Sequence, residues 1–219
     1  MKAIGKIDRQ LFITTLVLSV VGIVIFLSAS LGFLERSTSY FSAIALKQIF
    51  FFVFGLFLLW IFSRIDYRKW RDFALYIFLG AIFANLLLFI PHLGMEYDGA
   101  IRWLNLGAFS FQPSELLKIA SIIYFAMWLS SVKEDVKTWR LGLLPVVIIT
   151  GIVATICLVQ KDTDTFFIIA SSLFFMYVSA GAKFSHIAAL IFLGIVVLGS
   201  VAFFRPYVMQ RIEDRKSVV

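Results

Sequence analysis

Polar residues cut the sequence between Leu11 and Phe204 into seven near-continuous apolar stretches, and no other feature limits the possible folds so sharply. They run Leu11 to Leu34, Ile44 to Phe62, Phe73 to Ile90, Ser114 to Ser131, Leu141 to Val159, Phe166 to Ala180 and Ile187 to Phe204, the sixth being the shortest. A bilayer core about 30 Å thick is crossed by roughly 20 mainly apolar helical residues, so these are the lengths of membrane spans. Transmembrane β-strands would alternate apolar and polar residues, whereas runs such as Ile49-Phe50-Phe51-Phe52-Val53-Phe54 are unbroken. The expected fold class is therefore all-α: a polytopic membrane protein of about seven transmembrane helices, with residues 1–219 forming a single integral membrane domain. Composition agrees, because 61% apolar and 15% charged residues exclude a water-soluble globule, for which about 45–50% and about 25% are usual. The single cysteine, Cys157, excludes an internal disulfide, and no internal repeat of fixed period supports an inverted-repeat transporter.

Charge sets the orientation. The net charge of +7 would suggest nucleic acid in a soluble protein, but in a chain this apolar basic residues mark the cytoplasmic side, and no nucleic-acid partner is expected. With the N-terminus inside, the inner segments hold Lys2, Lys6, Arg9, Arg64, Arg68, Lys69, Arg71, Lys133, Lys137, Arg140 and Lys183. The outer loops before the tail hold Arg36, Arg102 and Lys161, a ratio of eleven to three. Seven spans then put the tail outside with Arg205, Arg211, Arg215 and Lys216, which runs against the bias and suggests an external element meeting something anionic. Met1 to Arg9 with Ser28-Ala29-Ser30 imitates a signal peptide, but the apolar run outlasts the roughly 7–15 residues of a signal core, so an uncleaved helix is expected.

Polar residues at membrane depth or in long outer loops carry the functional information. The longest outer connection, Pro91 to Pro113, is expected to lie at the interface, with Gly94, Gly99 and Gly107 allowing tight turns and Trp103, Leu104, Phe109 and Phe111 at headgroup depth. Gln112-Pro113-Ser114-Glu115 opens the fourth helix, and Lys118 follows one turn later on the face of Glu115. A carboxylate and an ammonium are costly against lipid, so this face is expected to look into the bundle. Two readings stand: a structural ion pair, or a ligand site with Arg102 and Lys118. Trp103 taken alone reads as an interface anchor.

Gly99-Ala100-x-Arg102-Trp103-x-x-x-Gly107 followed by Gln112-Pro113-Ser114-Glu115-x-x-Lys118 resembles the signature of the SEDS family (shape, elongation, division and sporulation). These are multi-spanning membrane glycosyltransferases that polymerise peptidoglycan from lipid II. Arg102-Trp103-Leu104-Asn105-Leu106-Gly107 with Phe109-Ser110-Phe111, and Ile65-Asp66-Tyr67-Arg68 after the second span, are closer to the division branch than to the elongation branch. Where members carry Gln-Pro-Asp-Leu-Gly-Thr after the fifth span, this chain has Gln160-Lys161-Asp162-Thr163-Asp164-Thr165, so a Pro and a Gly are replaced. Asp162 and Asp164 beside Lys161 read either as a solvated loop or as a site for a divalent cation, Mg or Mn. Pro206-Tyr207-x-x-Gln210-Arg211-Ile212 resembles the segment leading into the family's large external loop. The expectation is thus the N-terminal part of a bundle of about ten helices, ending at Val219 before the loop with the catalytic carboxylate.

The resemblance implies a bacterial cytoplasmic-membrane enzyme with lipid II as substrate and a class B penicillin-binding transpeptidase as partner. The 4-hydroxyl of one GlcNAc displaces undecaprenyl diphosphate from the anomeric carbon of another chain's MurNAc, with a carboxylate base and cations at the leaving diphosphate. Arg102, Lys118, Arg205 and Arg211 would supply charge, Trp103 would stack on sugar, and Gln112, Ser114 and Glu115 complete the substrate-binding set. The base is assigned beyond Val219, with Asp162 the candidate inside the chain, so the chain by itself is expected to be inactive. Two other roles fit the same residues: a lipid II flippase using Glu115 and Lys118, and a non-catalytic membrane partner recruiting a transpeptidase by helix packing. The topology gives a first test: Asp98→Cys should react with an impermeant thiol reagent added outside intact cells, and labelling only after permeabilisation would overturn the orientation.

Overall fold

The computed structural model describes residues 8–31, 38–91, 93–97, 100–105, 107 and 110–204. Arg205 and Arg211, and with them the expected tail element, lie outside the described residues, as do Asp98, Gly99 and Phe109 of the outer connection. The chain forms two compact units, Met1–Lys69 and Trp70–Val219.

The first unit contains α1 (Arg9–Ser30) and α2 (Thr38–Ser63), which pack against each other. Asp8 caps α1, its Oδ1 accepting from the backbone N–H of Gln10 at 3.0 Å and Leu11 at 3.2 Å, so two of the otherwise orphaned N–H groups at the helix start are satisfied. Inside the helix, Thr15 and Ser19 donate their hydroxyls to carbonyls one turn back at 2.8 Å, which satisfies them without water. The central windows of both helices bury nothing in the described structure, as suits surfaces made to face lipid. At the end of α2 the guanidinium of Arg64 lies 5.3 Å above the ring of Trp60, an aromatic and cationic pairing at home at a membrane interface.

The second unit holds α3 (Tyr67–Leu86) from Trp70 on, α4 (Pro113–Val132), α5 (Leu144–Val159), α6 (Thr163–Ser179) and α7 (Phe184–Phe204). Five helical segments are long and apolar enough to cross a membrane, while α6 and the described part of α7 are shorter apolar helices. Each of the seven expected stretches has a helix over most of its described length, and the ends differ. Helix α2 begins at Thr38 and α3 at Tyr67, both well before the apolar run, because a helix continues through polar residues where its backbone already has partners. The core joins α3 to α6 around Phe78, Leu117, Phe125, Ile169, Leu173 and Tyr177. Ala81 and Ala120, both fully buried, keep side-chain volume low between helices, and the rings of Phe78 and Tyr124 stack with centroids 5.0 Å apart.

Two features depart from the all-helical expectation. The outer connection folds as a three-stranded antiparallel sheet of β1 (Gly94–Tyr97), β2 (Ala100–Asn105) and β3 (Ser110–Phe111), in the order β1-β2-β3. Leu104, expected at headgroup depth, is buried, because β2 packs against the 3-10 turn Leu87–Phe89 and α4. At the other end of the unit, the link from α4 to α5 is a 3-10 helix (Lys133–Lys137) and a π-helical turn (Trp139–Leu143). The hydroxyl of Tyr177 reaches this link, donating to the Val136 carbonyl at 3.2 Å and sharing a hydrogen bond with Nδ1 of His186 at 2.8 Å. Gly142 passes so close that a Cβ there would overlap the Val136 carbonyl and crowd the Tyr177 hydroxyl.

That contact predicts a sharp contrast between two glycines. Gly142→Ala should lower stability by about 1–3 kcal/mol through overpacking, whereas Gly151→Ala, where an added methyl meets nothing within 4 Å, should be neutral or mildly stabilising. Thermal unfolding in detergent micelles reads both; equal melting temperatures would show that the link does not pack as described.

Candidate functional site

Helix α5 ends at Val159 with Gln160 as its C-cap, and the chain turns at once into α6 through Lys161, whose φ of 56° is left-handed. Asp162 then caps α6, one carboxylate oxygen accepting from the Thr165 N–H at 3.4 Å. Its other oxygen accepts from the Ser114 hydroxyl at 2.9 Å and from Nε2 of Gln112 at 3.3 Å, and Nε2 also contacts the Ser114 oxygen at 3.0 Å. Asp162 is only 2% exposed and Ser114 1%, so the start of α4 is bonded to the start of α6 inside the protein. The solvated-loop expectation for Asp162 is therefore corrected: capping the helix pulls the carboxylate inward, while Asp164 stays exposed.

Arg102 reaches the same turn from the sheet. In the β1-β2 register Met95 pairs with Trp103 and Glu96 with Ile101, which leaves Arg102 as the extra residue of a bulge. A bulge bends the strand and re-aims its side chain. The half-buried guanidinium donates through Nη2 to the carbonyl of Lys161, and its buried Nε has no hydrogen-bond partner. Trp103 stands beside it on β2, 40% exposed. Gly107 closes the strand connection at φ 80°, its N–H held by Asn105 at 2.9 Å, so the turn expected from this glycine is present.

Glu115 and Lys118 form an ion pair of 2.7 Å on the first turns of α4. The face was expected to look into the bundle, yet the Glu115 side chain is 56% exposed and Lys118 22%. The pair stands at the end of the helix beside the sheet, where an interfacial position relieves the cost of burial, and Glu115 sits favourably in the first turn.

Two members of the cluster escaped the sequence argument. Asn85, fully buried near the end of α3, donates to the Ala81 carbonyl at 2.8 Å and to the Pro113 carbonyl at 3.2 Å. Gln160, 1% exposed, donates Nε2 to the Asn85 side-chain oxygen at 3.1 Å, while its own Oε1 has no partner. A lone Asn inside an apolar stretch was the available signal for the first. As for a divalent cation, the oxygens of Asp162 face three hydrogen-bond donors, and among the described residues no three His, Cys, Asp or Glu side chains gather; this donor set suits a helix cap and does not fit a metal.

The arrangement has relatives. The family model for FtsW, RodA and SpoVE, described as cell cycle protein, matches residues 8–217. The probable peptidoglycan glycosyltransferase FtsW of Geobacter sulfurreducens is 32% identical over 197 residues, which is 90% of this chain and 53% of that protein. Stage V sporulation protein E of Bacillus subtilis is 29% identical over 205 residues, 94% of this chain and 56% of that one. Among solved structures, a chain in a peptidoglycan synthase complex that coordinates polymerization and crosslinking superposes with a TM-score of 0.67 at 23% identity, covering 90% of this chain and 57% of that one. This chain thus spans about half the length of the curated relatives it matches.

The cap and its cross-link predict a measurable loss. Asp162→Ala strands the Ser114 hydroxyl and the Gln112 amide in a buried place and uncaps α6, and should cost about 1–3 kcal/mol. Thermal unfolding in micelles measures it, and a melting temperature equal to the parent's would remove Asp162 from the architecture of the site.

Proposed function

Since this chain belongs to the FtsW/RodA/SpoVE family of cell cycle proteins, we propose that it forms the lipid II-binding part of a peptidoglycan glycosyltransferase. It is a multi-pass membrane protein, and we place it in the bacterial cytoplasmic membrane with its N-terminus inside. The observation that carries the reading is the gathering of Arg102, Gln112, Ser114, Glu115, Lys118 and Asp162 at one end of α4 to α6, beside the β1-β2-β3 sheet. Lipid II brings a diphosphate to that depth, and as its sugar is transferred the bond from the anomeric carbon to the diphosphate breaks and negative charge grows on the leaving group. Arg102 and Lys118 lie where cations would stabilise it, and half-exposed Trp103 offers a face for sugar. Asp162, with its oxygens taken by donors, is assigned to positioning and not to proton abstraction. The likeness to a chain of a peptidoglycan synthase complex supports a class B penicillin-binding transpeptidase as partner.

A flippase would open one site to both faces. The buried polar residues stand at one end of α6, whereas at its other end Tyr177 is buried and bonded to the α4–α5 link, which favours access from one side.

Both points are testable with the chain in liposomes. Arg102→Ala and Lys118→Ala should each weaken binding of fluorescent lipid II about tenfold, close to 1.4 kcal/mol, at unchanged protein abundance. Lys118→Cys should react with an impermeant thiol reagent from the outer face alone. Unchanged binding in both alanine variants would overturn the substrate reading, and labelling from both faces would favour transport.

A further inference from the structure

We propose that Asn85 and Gln160 are positioning residues for this site: a buried amide pair that fixes where the α5–α6 turn and the start of α4 stand relative to each other. The inference rests on the lipid II reading for its function, and on geometry alone for its mechanism.

The pair joins three helices at one point. Asn85 belongs to α3, its Nδ2 holds the Pro113 carbonyl at the first residue of α4, and its Oδ1 accepts from Gln160, the residue that ends α5. Both side chains are at most 1% exposed, so each hydrogen bond is made away from water. Gln160 immediately precedes Lys161, whose carbonyl takes the Arg102 guanidinium, and Asp162, which takes Ser114 and Gln112. Pro113 immediately precedes Ser114, and Lys118 follows one turn along the same helix. The Lys161 carbonyl that orients Arg102, and the first turns of α4 that carry Ser114 and Lys118, therefore both follow from backbone that the amide pair pins.

Stability alone does not account for such a pair. The Gln160 Oε1 has no partner, and two apolar side chains of similar shape would leave no polar atom stranded. What amides add over hydrocarbon is direction: hydrogen bonds hold angle and distance, where apolar packing tolerates a slide. A slide of the turn would carry the Lys161 carbonyl, and Arg102 with it, off the diphosphate position.

The test uses the chain in liposomes with three variants: Asn85→Ala, Gln160→Leu, and the exchange Asn85→Gln with Gln160→Asn, which keeps both amides and their summed length. Spin labels at Ile119→Cys on α4 and Asp164→Cys on α6, both exposed, in a Cys157→Ala background report the distance between the two helix starts. Fluorescent lipid II reports affinity. The single variants should broaden the distance distribution and weaken binding about tenfold, and the exchange should restore a narrow distribution and bring affinity to within about threefold of the parent. A merely structural pair would lower the melting temperature while leaving the distance narrow in the folded fraction, which overturns the proposal. So does an exchange variant that melts like the parent yet stays broad. If the parent itself fails to bind lipid II, the substrate reading falls, and the distance measurement still decides whether the amides position the turn.

Discussion

A carboxylate removed from water must have its lone pairs answered by donors, and at Asp162 two of the three donors come from the start of a different helix. The residue caps α6 with one oxygen and is held by Ser114 and Gln112 with the other, so two helix starts distant in sequence cannot move independently. That requirement shapes the neighbourhood. Pro113 at the first position of α4 needs no N–H partner, which frees Ser114 to turn its hydroxyl across the interface. The carbonyl of Lys161, at the left-handed turn, is the acceptor for Arg102. Helix packing in lipid has no hydrophobic drive of its own, so register there rests on close packing and on polar bonds such as these between helices.

The number and order of the helices were legible because lipid forces each crossing to be long and apolar; each of the seven stretches falls on a helix, five of which are long and apolar enough to cross a membrane. The outer connection was not. Ala100-Ile101-Arg102-Trp103-Leu104-Asn105 carries strand formers and buries alternate ends, yet its mixture of aromatic and polar residues equally suits a segment lying on the membrane surface. Only partners decide between them, and β1 and β3 supply the partners.

The site was legible in its members and not in its wiring. Arg102 was singled out by its charge and, like Gln112, Ser114 and Asp162, by the motif resemblance, and the structure brings the four to one turn. The direction of the Glu115 and Lys118 face was misjudged, because the argument from bilayer cost assumed mid-membrane depth, whereas the pair lies in the first turns of α4 beside the sheet. Asn85 went unread because a single polar residue among Phe83, Ala84, Leu86 and Leu87 looks like a defect in a span until its partner, 75 positions away, is known.

The departure at Lys161 has a structural meaning. Lys161 stands at φ 56°, a value the proline of the resembled pattern could not take, since its ring holds φ at about −65°. After this left-handed residue the Asp162 N–H bonds the Cys157 carbonyl at 2.7 Å. Arg102 then meets a carbonyl, which is neutral, and not a carboxylate. A carbonyl adds no net negative charge to the pair, so the bond that orients Arg102 does not itself neutralise the guanidinium. The bulge and the turn thus fix where the cation stands, through a bond to a neutral carbonyl.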